Sequence, residues 1–186
     1  MARLLRAAAV VVLFACSAHA AERAVLIYPK EHFSFRRTFY SAHQRELRAE
    51  LGRRFEVEVH EQVRTATELL AIDVRGAKLL MISGHGDPFA IALGDDGRRT
   101  LDAGDLERLR LFFAQLDPDA TIVLQSCDVG RGFAWVVKEA AGPRRHVIAG
   151  KGTVPRDGLA ITSVDPVDAQ ITCDGASGPW DCTIRL

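Results

Sequence analysis

His85 and Cys127 are the two residues of this 186-residue chain whose types and settings could do chemistry together. His85 stands in "KLLMISGHGD", at the end of an apolar run and between Gly84 and Gly86. Cys127 stands in "ATIVLQSCDVGRG", at the end of a second apolar run. An imidazole can take a thiol's proton and later return one to a leaving amine, which is the minimum equipment for nucleophilic catalysis. The glycines beside His85 are expected to leave room for a substrate backbone. Each residue also has an ordinary explanation. A histidine at a turn can simply end a strand, and a free cysteine often behaves as a small buried apolar residue. The pairing favours chemistry, because each residue closes a buried run and each has glycine within three positions.

Several neighbours would support that chemistry. Gly86 N–H and Cys127 N–H are candidate donors to the oxyanion of a tetrahedral intermediate. The amides and helix start after Cys127 favour a thiolate, and Asp128 opposes it. Asp87 and Asp128 are candidate substrate contacts, although Asp87 also suits a plain turn. Trp135 and Trp180 are read as core and loop packing.

Such a pair meets only if strand ends are brought together. "RAVLIYPK" (23–30), "FEVEVH" (55–60), "KLLMIS" (78–83), "ATIVLQSC" (120–127) and "HVIAGKG" (146–152) read as strands. Between them, residues 34–51, 65–75 and the stretches carrying Leu106 to Leu116 and Phe133 to Ala140 repeat apolar side chains at helical spacing. Asp102 and Asp105 resemble a capping arrangement for the third of these helices. "FAIALGDDGRRTL" suggests a hairpin turning at Asp96-Gly97. Strand–helix alternation predicts an α/β fold, a mostly parallel sheet flanked by helices on both faces. In such sheets ligands gather beyond the carboxyl ends of the strands, where His85 and Cys127 would both lie.

These residues carry a resemblance. An apolar strand ending in His-Gly, followed about forty residues later by an apolar strand ending in Cys, resembles the caspase–legumain–gingipain group of cysteine peptidases. "SGHGD" is similar to the segment that holds that group's histidine, and "VLQSCDVGRGF" to the legumain pattern around its cysteine. The order of elements over residues 23 to 152 agrees. The resemblance implies a caspase-like α/β sandwich with His85 as general base and Cys127 as nucleophile. It also implies oxyanion amides from Gly86 and Cys127, no cofactor, and a protein or peptide substrate. The pocket for the residue before the cut has no alignable stretch, and Lys151, Arg156 and Asp157 are its candidates.

The remaining expectations concern export and partners. "MARLLRAAAVVVLFACSAHA" (1–20) has Arg3 and Arg6, a short apolar core and Ala18-His19-Ala20, the pattern of a cleaved signal peptide. The rival, lipid attachment at Cys16, has the awkward Phe14 just before it. Cleavage leaves one domain over 21–186, in the periplasm or outside the cell, with no integral membrane span. Starting from equal totals of 24, loss of Arg3 and Arg6 leaves the mature chain slightly acidic, so nothing suggests nucleic acid or an anionic membrane as partner. No metal site is expected, since the histidines are scattered. Cys173 and Cys182 flank "DGASGPWD" and are expected to pair, fastening a C-terminal strand pair. Cys127 is then left as a free thiol. Two other classes stay open: a silent binding or regulatory module on the same fold, and a thiol redox or acyl-transfer protein.

Overall fold

The computed structural model describes residues 21–29, 42–94, 101–155 and 157–186. The expected signal peptide with Cys16, the start of the first predicted helix, the predicted Asp96-Gly97 turn and Arg156 lie outside the described residues.

The chain begins with β1 (Glu22–Pro29), α1 (Ala42–Leu51), β2 (Phe55–Val63), the short α2 (Ala66–Leu70) and β3 (Ala77–Ser83). Three short strands follow: β4 (His85–Asp87), β5 (Ala90–Ala92) and β6 (Leu101–Asp102). The chain continues through α3 (Leu106–Phe113), β7 (Thr121–Gln125), α4 (Phe133–Ala141) and β8 (His146–Gly150). It closes with β9 (Leu159–Val164), β10 (Val167–Cys173), β11 (Trp180–Asp181) and β12 (Thr183–Arg185).

Six strands form one sheet in the order β12-β8-β7-β3-β1-β2. All neighbours run parallel except β12, which is antiparallel to β8. The fold is therefore α/β with a mixed, mostly parallel sheet. Both faces are covered, which is why the strands read as unbroken apolar runs. On one face Val25, Ile27, Leu80, Ile82, Ile122 and Leu124 pack against side chains of α2, α3 and α4. The alternate residues Ala24, Leu26, Leu79, Met81 and Val123 face the other way. Each large apolar side chain fully buried this way stabilises the fold by about 1.5–3 kcal/mol.

On the second face the expected helical cover is shared with strands. There α1 supplies Leu47 and Leu51, but Leu159, Ala169 and Ile171 of the antiparallel β9–β10 pair share the layer. The second helix is also shorter than the 65–75 expected. Thr65 caps it by accepting from Glu68 N–H. Beyond Leu70 the chain turns, with Asp73 accepting from Arg75 N–H at 3.0 Å and Gly76 at φ +69°. Asp102 and Asp105 do form a capping box, closing a 3-10 turn that leads into α3.

Cys173 and Cys182 form a disulfide, and both are buried. The bridge ties the end of β10 to the residue between β11 and β12. Replacing both cysteines by serine is expected to lower stability by about 2–4 kcal/mol, from the small loop they close. Calorimetric unfolding of the oxidised wild type and the double variant measures this, and equal midpoints would refute it.

Candidate active site

β3 and β7 are hydrogen-bonded neighbours at the middle of the sheet, in register from Leu79↔Thr121 to Ser83↔Gln125. Their carboxyl ends therefore emerge side by side. Ser83 Oγ donates to Gln125 Oε1 at 2.8 Å inside the core, and Gly84 N–H donates to Gln125 O at 3.3 Å. Two residues farther on, the two segments touch again. A Cβ built on Gly86 would stand 2.4 Å from Cys127 O and 2.9 Å from Ser126 Cβ. Only a residue without a side chain fits that approach.

That contact corrects the expectation about the glycines. The space beside Gly86 is filled by the protein's own Cys127 carbonyl, and that beside Gly84 by Ile91 and Ala92. The glycines serve close packing between the two segments, not substrate entry. The packing has a direct consequence for the site. It sets His85, which is exposed, one residue from a contact with the Cys127 main chain.

Cys127 is a free, half-buried thiol. Its Sγ lies 3.9 Å from Val154 O. Burial pushes the thiol above its ordinary value, and the carboxylates of Asp128 and Asp174 add to that, while the Val154 backbone pulls the other way. The expected help from a helix start is weakened, because α4 begins only at Phe133 and a 3-10 turn, Val129–Arg131, comes between.

Asp128 adopts a left-handed conformation, φ 56°, and donates its N–H to Gly152 O at 2.9 Å. Its carboxylate lies 3.3 Å from Arg131 Nε. Asp87 Oδ1 accepts from Phe89 N–H at 2.7 Å and Ala90 N–H at 3.0 Å, so this side chain builds the turn from β4 to β5. Both aspartates thus have structural work at the positions where substrate contacts were expected.

The segment after β8 lies beside the thiol through its main chain. Lys151 N–H donates to Cys182 O, and Lys151 O accepts from Arg131 Nε. Val154 and Asp174 were missed in the sequence. Thr153 pairs with Asp174 as an isolated bridge, a long-range contact that no local pattern announces. Asp157 is exposed in a turn. Trp135 and Trp180 are 57% and 46% exposed, so neither is core packing.

Among the described residues no group of three His, Cys, Asp or Glu side chains could hold a metal ion. Among them, too, no helix is long and apolar enough to cross a membrane. Comparison with protein families, curated proteins and solved structures found no significant match.

Proposed function

We propose that this chain is an exported cysteine endopeptidase of the caspase–legumain kind, with Cys127 as nucleophile and His85 as general base. The observation that carries the proposal is the seat of Gly86 on the Cys127 carbonyl, which holds histidine and thiol on adjoining strand ends. Such ends are where open α/β sheets place ligands.

In this route His85 takes the Cys127 proton as Sγ attacks the scissile carbonyl. The C=O pair moves onto oxygen, where Gly86 N–H and Cys127 N–H are the proposed donors. Collapse breaks the C–N bond, and the imidazolium gives its proton to the departing amine. Water, deprotonated by His85, then releases the acid from the thioester and restores the thiol. Protons and electron pairs balance without a cofactor.

A second reading, a catalytically silent module of the same fold, draws support from the thiol itself. Burial and two carboxylates favour its protonated form, which is a poor nucleophile. The redox reading loses its ground, since Cys173 and Cys182 are bound to each other.

Iodoacetamide labelling of Cys127 from pH 5 to 9 separates the first two readings. A raised thiol without assistance holds little thiolate at pH 7, so its labelling climbs only toward the alkaline end. With His85 acting on it, labelling at pH 7 is expected to exceed that of His85→Ala by about tenfold or more. Slow labelling, equal in both proteins, would sink the peptidase proposal and leave the silent module.

A further inference from the structure

Both halves of the candidate site run on into one cleft. Three residues past His85 the chain reaches Pro88 and Phe89, and five past Cys127 it reaches Gly132 and Phe133. These residues, with Ala103 and Val136, line a cavity of about 470 Å³, within the size range of ligand pockets. The cleft is preformed. Phe133 N–H donates to Pro88 O at 2.7 Å, and a Cβ on Gly132 would stand only 2.2 Å from that same oxygen.

The chemistry of the walls selects the occupant. Phe89 is 64% exposed at this cleft, and the partly buried Val136 adds apolar surface from α4. Among the described residues of the lining the one charged side chain, Asp102, already accepts from Gly104 N–H at 2.7 Å. The Phe133 amide at the start of α4 is used by Pro88. The described walls fit an apolar side chain better than a charged one.

Position selects the source. Along the sheet edge the order is β8, β7, β3, so Val154 lies to one side of the thiol and His85 to the other. His85 must protonate the leaving amine, which puts the leaving half of a peptide on its side. The wall of the cleft that carries the exposed Phe89 is the β4–β5 turn, which follows directly on His85.

Resting on the peptidase reading, we propose that this cleft binds a large apolar or aromatic side chain from the leaving-group side of the substrate. Internally quenched peptides test it, with a randomised acyl side and Gly, Phe, Leu, Asp or Lys at the first two positions after the cut. Wild type should turn over Phe or Leu peptides about tenfold faster than Gly peptides, a usual scale for pocket discrimination. In Phe89→Ala and Val136→Thr that ratio should fall toward one. Equal turnover of Phe and Gly peptides, or a ratio untouched by both variants, would overturn the proposal.

Binding of the Phe peptide to Cys127→Ala, followed by the Val136 methyl resonances, separates this inference from the reading beneath it. Methyl shifts without turnover by wild type would overturn the peptidase and keep the cleft as a peptide site. Shifts that depend on protein concentration alone would assign the cleft to a second copy and overturn the inference. No shift would do the same.

Discussion

Cys127→Ala and His85→Ala are each expected to reduce peptide hydrolysis by about 10³-fold or more in kcat/KM, the scale on which nucleophile–base pairs fail when one member is removed. The losses should not add. Once either partner is gone the other has nothing to act on, so the double variant should be about as active as the worse single one. The fold should tolerate both changes. His85 is exposed and Cys127 only half buried, so neither truncation opens a large cavity. Thermal unfolding beside turnover is the needed comparison. Independent, multiplying losses would point to two separate roles instead of one working pair.

Gly86→Ala is expected to damage both the fold and the site. The new methyl would meet Cys127 O at 2.4 Å, Val129 Cγ1 at 2.8 Å and Ser126 Cβ at 2.9 Å. The nearest of these is main chain and cannot rotate away. Overpacking of this kind costs about 1–3 kcal/mol, occasionally more, or a drop of about 5 °C in midpoint for a domain this size. Whatever yields will be the strand end carrying His85 or the turn carrying Cys127. Labelling of the thiol should therefore lose its dependence on His85 even well below the midpoint. An unchanged midpoint together with unchanged labelling would show that the two segments are not wedged.

The legible part of the fold was the central sheet. The middles of "KLLMIS" and "TIVLQS", Leu79 to Ile82 and Ile122 to Leu124, are apolar because both their faces are covered, and a run of that kind is visible without knowing its partners. The candidate pair was legible for the same reason, since each residue marks where such a run stops. In the β9–β10 pair Leu159, Ile161, Ala169 and Ile171 lie at period-two spacing on either side of Asp165-Pro166, a signal interrupted by the turn residues around it. Its role was harder to see, because a hairpin does not say whether it will cover a sheet or stand apart. "HGD" could not be read as a strand at all. It is three residues long with glycine in its centre, and only pairing with Ala90–Ala92 makes it one. The contacts of Asp174 and Val154 join distant parts of the chain, which composition and periodicity do not encode.

β12 fixes when the site can exist. It pairs with β8, and Cys182, just before it, holds the amide of Lys151. That segment leads through Gly152 to Val154 at the thiol. His85 thus waits on residues nearly one hundred positions later. Contacts so far apart in sequence carry the loop-closure cost that slows folding. The pairing of β1, β2 and β3 with one another closes over shorter stretches of chain. A nascent chain can pair its first strands while Cys127 still lacks a fixed surrounding, so the thiol's environment is among the last parts of the fold to be completed.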